Sequence, residues 1–376
     1  MPKIPYDAVN FPSTVPLWRP SAPGNVGPQS GFANVTLAEL VAHAATVGDP
    51  SLLTGTPARR AIDMRWRSAV VEAALEEANG YWTPSRAYSH QLDSSEKTFV
   101  SYLLGMAQAS VMAEHILGTV ALVHVDAVLQ YFGHLYKEKR PDLIGFLPTS
   151  PLGLRASARV LIEAKGTAGP KSQSAIDDAL SQLKPPPGTL PSQNLQQLAS
   201  LIGPRGLRVV SHAYFDSAYP GSVLPVWSSH LEDPPSDNDV ISGWEDDEFD
   251  GLILLAKLLP VVESMNTMQE AVFDWRDAVD TEMRAAAVSP GLIFGLPASL
   301  YAALQEINFS LRAYGEVDRL RGREDDLRAF ARIVNDLRPD PARLLRRDAQ
   351  EHGDWEIGKL RSGFCVARSI GDIRNR

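Results

Sequence analysis

Apolar residues recur at helical spacing in three segments of the first third of the chain. The spacing predicts helices over 37–47, over 57–79, and from Ser94 or Ser95 to Gly118. In the third segment a serine supplies the N-cap and the glycine supplies the stop. Residues 1–35 are rich in Pro, Gly and Ser, so we expect an extended arm or irregular cover there.

Runs of β-branched and apolar residues follow the third helix and predict strands. The predicted strands cover 119–132, 141–146, 158–166 and 207–214, and an amphipathic helix over 172–183 separates the last two. The order helix, strand, strand, strand, helix, strand is typical of an α/β fold.

The composition changes beyond the last of these strands. Residues 216–250 are acidic and rich in Pro, Ser and Asp, which indicates a linker, and 251–350 is predicted to be mostly helical. The predicted parts are an N-terminal arm and helical cover (1–92), an α/β core (93–215), an acidic linker (216–250) and a helical C-terminal region (251–376).

The net charge of −9 is distributed unevenly along the 376 residues. Segment 134–210 carries 10 basic and 5 acidic side chains, whereas segment 211–300 carries 3 basic and 16 acidic ones. The basic segment is a modest electrostatic footprint for a polyanion such as nucleic acid.

Cysteine usage and hydropathy limit the class of protein. The single cysteine, Cys365, excludes an internal disulfide and a cysteine-based metal site, which fits a reducing, cytoplasmic setting. The first residues, MPKIPYDAVNF, lack the pattern of a secretory signal, and the longest apolar stretches are too short to span a membrane. We therefore expect no membrane partner.

Two charged groups stand at the end of the predicted strand 158–166, where burial of a charge is costly. The apolar run Val160-Leu161-Ile162 leads into Glu163-Ala164-Lys165, and Pro141-Asp142 begins the preceding strand. If these two strands pair antiparallel, both carboxylates reach one end of the sheet.

Strand alternation places Glu163 and Lys165 on one face. Mg²⁺ or Mn²⁺ prefers oxygen ligands, which Asp142, Glu163 and the carbonyl of Ala164 would supply. Lys165 would orient or deprotonate a water and stabilise charge on a phosphate.

Structural readings of the same residues stay open. Asp142 fits a turn aspartate after proline, and Glu163 with Lys165 fits an edge strand with solvated charges. The continuous run before Glu163 weakens the second reading, because a strand exposed on one face should alternate. His124 and His212 are expected to be strand histidines with satisfied hydrogen bonds.

The pattern of Pro141-Asp142 followed by Glu163-Ala164-Lys165, on this order of elements, resembles the PD-(D/E)xK nuclease superfamily over residues 95–215. The resemblance implies a restriction-endonuclease-like core with additional, mainly helical N- and C-terminal regions. It also implies that Asp142 and Glu163 bind metal, that Lys165 acts on water, and that Gln182 in the next helix faces the site.

Many members of that superfamily add a glutamate from the first helix. Glu96 and Glu114 are the two candidates, and they are eighteen residues apart, which places them on one helical face. Glu96 is preferred because it lies at a polar helix start. A first-turn glutamate also interacts favourably with the helix dipole without any catalytic role.

The predicted function is Mg²⁺- or Mn²⁺-dependent hydrolysis of phosphodiester bonds in nucleic acid, with DNA preferred. Restriction, anti-phage defence and repair are the settings that the resemblance implies. The alternative is a catalytically silent nuclease-fold module that holds a protein partner, or a second copy of the chain, through its C-terminal region.

Overall fold

The computed structural model describes residues 1–11, 29–47, 56–131, 140–148, 157–183, 207–233, 247–275, 282–314, 332, 351–352 and 355–370. Within them the chain forms a mixed α/β structure, which confirms the predicted class, with two sheets and the helices that pack on them. None of the described helices is both long enough and apolar enough to cross a membrane.

The central sheet has nine strands among the described residues, in the order β3-β4-β1-β9-β8-β7-β6-β5, with β2 paired to β1. The strands are β1 (Lys3–Val9), β2 (Gln29–Asn34), β3 (Leu75–Ala78), β4 (Tyr81–Pro84), β5 (Ala121–His124), β6 (Leu143–Pro148), β7 (Ser157–Gly166), β8 (Leu207–Asp216) and β9 (Val226–Glu232). The pairs β7–β8, β1–β9 and β1–β4 are parallel, and the other pairs are antiparallel.

The helices are α1 (Leu37–Thr46), α2 (Pro57–Ala74), α3 (Ser94–Met112), α4 (Val125–Tyr131), α5 (Gln173–Leu183), α6 (Asp247–Met265) and α7 (Ala298–Tyr314). Their starts follow ordinary capping chemistry. Thr36 caps α1 by accepting the N–H of Glu39 at 3.0 Å, and Asp93 caps α3 in a reciprocal pair with Glu96. A π-helical turn over Ala113–Leu117 extends α3 to Gly118, which has φ 78°.

The N-terminal part differs from its prediction. The stretch 1–35 supplies β1 and β2 to the central sheet, since β1 pairs in parallel with β9, more than 200 residues later in the chain. The helix predicted over 57–79 ends at Ala74, because Leu75–Ala78 turns into an antiparallel hairpin with β4. Residues 12–28 and 48–55 lie outside the described residues.

The predicted core elements are present with one change. The strand expected over 119–132 ends at His124, and α4 begins at Val125, so Asp126 lies in the first turn of a helix. The acidic linker predicted over 216–250 contains β9, which lies between β8 and β1 in the sheet. Its residues 234–246 lie outside the described residues.

The C-terminal part contains strands as well as the predicted helices among its described residues. It forms a second, antiparallel sheet of β10 (Gln269–Glu270), β11 (Met283–Ser289), β12 (Leu292–Pro297), β13 (Glu351–His352), β14 (Trp355–Lys359) and β15 (Cys365–Ser369), in the order β10-β11-β12-β15-β14-β13. The two longer helices of this region, α6 and α7, match the helical prediction. Residues 315–331 and 333–350 lie outside the described residues.

Two buried helices join the sheets. All residues of α1 are buried, and the N–H of Ala38 donates to Glu356 of β14 at 2.9 Å. The apolar residues of α6 are buried around most of its circumference, as expected of a helix in the centre of a large core. The candidate site lies at the carboxyl end of β7, a strand on which both α3 and α5 pack.

Candidate active site

The register between β6 and β7 places Asp142 opposite Glu163. Leu143 is the partner of Ile162, so the residue before Leu143 faces the residue after Ile162. Oδ2 of Asp142 accepts a hydrogen bond from the N–H of Ala164 at 2.9 Å. The predicted antiparallel pairing of these two strands is therefore confirmed, and it fixes the aspartate beside the glutamate.

Lys165 contacts Glu163, which lies two residues earlier on β7. Its Nζ lies 2.7 Å from Oε1 of Glu163, and 3.4 Å from Oδ2 of Asp178 on α5. The side chain of Glu163 is 3% exposed, whereas that of Lys165 is 26% exposed. The ammonium group thus lies between a buried carboxylate and one that is open to solvent.

Burial sets the protonation of the carboxylates. Burial, and then the negative charge of Asp142, raise the pKa of Glu163 to about 8. Burial also raises the pKa of Asp142, against the hydrogen bond from Ala164 and the charge of Lys165. Two adjacent buried carboxyl groups resist full ionisation, so the pair retains a proton near neutral pH.

The pKa of Lys165 is set by burial and, in the opposite direction, by its carboxylate neighbours. Burial lowers its pKa, but the hydrogen bond to Glu163 and the charges of Glu163 and Asp142 outweigh burial, so the pKa lies above its ordinary value. The side chain is therefore a charged ammonium donor at neutral pH. This state suits orientation of a water and stabilisation of an anion, and it does not suit removal of a proton.

Several oxygen atoms lie at the end of β7 beside β6. Oε2 of Glu163 is buried and accepts no hydrogen bond from the described residues. The carbonyl of Ala164 lies on the Asp142 side of β7, because the N–H and C=O of one extended residue point the same way. Carboxylate and carbonyl oxygens are the kinds of ligand that Mg²⁺ and Mn²⁺ prefer. In the described part of the chain, no three His, Cys, Asp or Glu side chains group closely enough to hold a metal ion.

Gly166 lets α3 approach the end of β7. A Cβ atom at Gly166 would lie 1.9 Å from the carbonyl oxygen of Ser101, and one at Gly105 would lie 2.9 Å from the nitrogen of Gly166. Because side chains alternate along a strand, Ala164 and Gly166 face α3, while Glu163 and Lys165 face α5. The site thus forms between two helices that cover opposite faces of the sheet.

Neither helix glutamate joins this site. Oε2 of Glu96 accepts the N–H of Asp93 at 2.9 Å within the capping box, and the residue is exposed. Glu114 is buried, accepts the N–H of Arg361 at 2.8 Å, and lies 3.9 Å from His43 Nε2. Glu114 is therefore part of the internal contact between α1, α3 and the C-terminal sheet.

Gln182 reaches the site only through another residue. Its Nε2 lies 3.1 Å from Oδ2 of Asp178, one helical turn earlier on α5. Asp178 in turn contacts Lys165. Asp178 was not among the predicted site residues, although its i, i+4 spacing from Gln182 places both residues on one face of the helix.

A row of polar side chains crosses four adjacent strands in register. Asp7 pairs with His230, His230 with His212, and His212 with Lys165. Nδ1 of His230 lies 2.5 Å from Oδ2 of Asp7 and 2.8 Å from Nζ of Lys171. These contacts link β1 to the sheet face that carries Glu163 and Lys165.

His212 does not have the satisfied hydrogen bonds predicted for it. It is fully buried, and neither ring nitrogen has a partner among the described residues. Its ring stacks on Tyr214 with centroids 5.5 Å apart. Burial, and then the charges of His230 and Lys171, lower the pKa of His212 to about 4. The ring is therefore neutral. His124, in contrast, accepts the N–H of Asp126 at 3.2 Å.

No protein-family model, curated protein sequence or solved structure matches the chain.

Proposed function

We propose that the chain is a divalent-metal-dependent nuclease, with a core of the restriction-endonuclease type over 93–215. Asp142, Glu163 and the Ala164 carbonyl would hold Mg²⁺ or Mn²⁺. The observation that carries the proposal is the register that joins Asp142 to the Glu163-Ala164-Lys165 segment, with Lys165 Nζ 2.7 Å from Glu163. The structural reading of a solvated edge strand does not account for it, because Glu163 is buried and β7 is an interior strand.

The unsatisfied Oε2 of Glu163 supports the metal assignment. A buried carboxylate oxygen without a donor is costly, and a bound cation is one way to complete its contacts. A divalent cation bound there supplies charge that polarises a phosphate and makes a nearby water a better nucleophile. The carboxyl pair must release its proton for this ligand, so binding is coupled to pH.

We assign to Lys165 the role of contacting the phosphate that reacts. Its raised pKa keeps it an ammonium, and its 26% exposure leaves room for a donor hydrogen to reach a water or a phosphate oxygen. Water would add to phosphorus in line, the bond to the 3′ oxygen would break, and that oxygen would take up a proton. The products are a 5′-phosphate and a 3′-hydroxyl. Lys165 stabilises the negative charge that accumulates on the phosphate oxygens.

Nucleic acid is the substrate that best fits the charge of the surrounding chain. The segment 134–210, which holds the site, has 10 basic and 5 acidic side chains, although the whole chain is acidic. A polyanion is attracted to such a segment. DNA is the form that we propose, and restriction, anti-phage defence and repair are the settings that the resemblance to the PD-(D/E)xK superfamily implies.

The test is cleavage of plasmid DNA, linear DNA, single-stranded DNA and RNA with Mg²⁺, with Mn²⁺ and with chelator. Wild type should cleave at least one substrate only when metal is present. Asp142→Ala and Lys165→Ala should each lose cleavage by at least about a hundredfold, as expected for loss of a metal ligand or a charge-stabilising donor. Both variants should keep the circular dichroism spectrum of wild type. Equal activity of wild type and both variants would refute the proposal.

The second candidate is a silent module that holds a protein partner or a second copy. One observation favours it: Lys165 is already held by Glu163 and Asp178, and a proton on the carboxyl pair closes the site without metal. This function predicts the same heat from Mn²⁺ injected into wild type and into Glu163→Gln.

A further inference from the structure

Four large apolar side chains lie exposed on one surface formed by α2 and α3. We call Ile62, Trp66, Phe99 and Tyr102 the aromatic patch. Their exposed fractions are 59%, 41%, 47% and 41%. The rings of Trp66 and Phe99 are 5.3 Å apart and inclined by 32°. Scattered single apolar residues are ordinary on a surface, but a contiguous group with three aromatic rings marks an interaction site.

The aromatic patch borders the carboxylate–lysine site. Partial burial, and then the charge of Asp142, raise the pKa of Tyr102, and the charge of Glu163 acts in the same direction. Ser101, the residue before Tyr102, lies against Gly166 at the end of β7. Phe99 is about 4.5 Å further along the axis of α3, at about 1.5 Å per residue. Tyr102 therefore follows directly on the residue that contacts the end of β7, and Phe99 lies about one turn away from it along α3.

Helix α2, which carries Ile62 and Trp66, also carries positive charge. Arg65 is exposed next to Trp66, and Arg59 is exposed one turn before Ile62. Arg59 makes a surface ion pair, at 3.7 Å from Asp63, and such pairs contribute little. The charge of Arg67 also acts on Tyr102. It opposes the effects of burial and the carboxylates, which together raise the pKa of Tyr102. Aromatic rings stack on bases, and arginine side chains contact phosphates. The two together fit a nucleic-acid strand.

We propose that the aromatic patch stacks unpaired bases of a nucleic-acid strand whose phosphate lies at Asp142, Glu163 and Lys165. This inference rests on the proposed nuclease function and deepens it, because it selects the substrate class. A base in a continuous duplex has its faces covered by neighbouring base pairs, whereas an unpaired base offers a face for stacking on an aromatic side chain. The preferred substrates are therefore single strands and the unpaired ends or flaps of duplexes.

The test measures binding of fluorescein-labelled single-stranded DNA and of a blunt duplex of the same sequence by anisotropy, with Ca²⁺ in place of Mg²⁺. Trp66→Ala and Phe99→Ala should each weaken single-strand binding by about five- to a hundredfold, and change duplex binding by less than about twofold. Phe32→Ala is the matched control, since Phe32 is 36% exposed on β2, which pairs with β1 on the far side of the sheet. Its binding should stay within about twofold of wild type.

A second measurement attributes the loss to stacking. Abasic residues placed along the oligonucleotide should weaken binding to wild type at one or two positions, and cause no further loss at those positions in Trp66→Ala. Equal losses for single strand and duplex would overturn the proposal. So would full single-strand affinity in both patch variants, or a change from dimer to monomer as their only effect in light scattering.

Cleavage separates this inference from the function on which it rests. If wild type binds single strands through the aromatic patch but cleaves no substrate with any metal, the nuclease function alone fails. If wild type cleaves DNA with metal, and Trp66→Ala and Phe99→Ala cleave single-stranded and flapped substrates as fast as wild type, the base-stacking role alone fails.

Discussion

The N–H of Ala164 donates a hydrogen bond of 2.9 Å to Oδ2 of Asp142, so the first carboxylate of the site is attached to the strand that carries the second. This contact uses one oxygen of Asp142 and holds the charge of its carboxylate close to Glu163. The unusual pKa of Glu163 follows from that proximity and from burial.

Removal of the charge on Asp142 should lower the pKa of Glu163. Asp142→Asn retains an acceptor for the Ala164 N–H, so the fold should be preserved while the repulsion is lost. Carboxyl-carbon NMR across pH 4 to 10 measures the titration of Glu163 directly. A titration of Glu163 at the same pH in wild type and Asp142→Asn would show that the two carboxylates are not electrostatically coupled.

The metal-free protein should lose stability as pH rises through the window set by Glu163. Its pKa in the fold, about 8, lies above the ordinary value of 4.5, so the folded state binds more protons between these limits. Each pKa unit of that difference is worth about 1.4 kcal/mol. Urea unfolding in chelator measures the effect.

Glu163→Gln is the reference for that experiment, because it keeps the shape of the side chain and does not titrate. The free energy of unfolding of wild type minus that of Glu163→Gln should fall as pH rises from about 4.5 to about 8. A difference that stays constant across this range would contradict the assignment of a raised pKa to Glu163.

Gly166 should tolerate no side chain. In Gly166→Ala the new Cβ would overlap the carbonyl oxygen of Ser101, a backbone atom that cannot rotate away. We expect a loss of about 1–3 kcal/mol in the free energy of unfolding, as for overpacked cores. Gly169→Ala is the matched control, since a Cβ there meets nothing within 4 Å. Equal stability of the two variants in urea unfolding would contradict the close approach of α3 to β7.

Lys257 should destabilise the folded protein at neutral pH. It is buried in α6, and burial, against the attraction of Glu114, lowers its pKa from 10.5 to about 8. The unfolded chain therefore binds more protons between these limits, and this group makes stability rise with pH there. The advantage of Lys257→Met over wild type should thus be larger at pH 7.5 than at pH 10.5. An advantage that is independent of pH in urea unfolding would show that Lys257 is not buried as described.

The local part of the site was predictable from sequence. Strand alternation assigns Glu163 and Lys165 to one face, and the apolar run before Glu163 indicates an interior strand. The proline before Asp142 marked the start of the neighbouring strand. These signals lie within a few residues of each group, and they depend only on backbone geometry.

The long-range part of the site was not predictable. Asp7 meets His230 because β1 pairs with β9, and no local pattern specifies which distant strand becomes a neighbour. The burial of Glu114 depends in the same way on the packing of α1, α6 and the C-terminal sheet around the end of α3. The strands of the C-terminal part were missed because short apolar runs fit helix and strand equally well.

The most direct measurement of the central claim is titration calorimetry of Mn²⁺ into the metal-free protein at pH 7, in two buffers of different ionisation enthalpy. We expect one binding event, with release of close to one proton as the cation displaces the proton on the Asp142–Glu163 pair. Glu163→Gln should lose that event, while Phe32→Ala should retain it. Identical isotherms for wild type and Glu163→Gln, or binding with no proton release, would show that the Asp142–Glu163 pair is not the metal site.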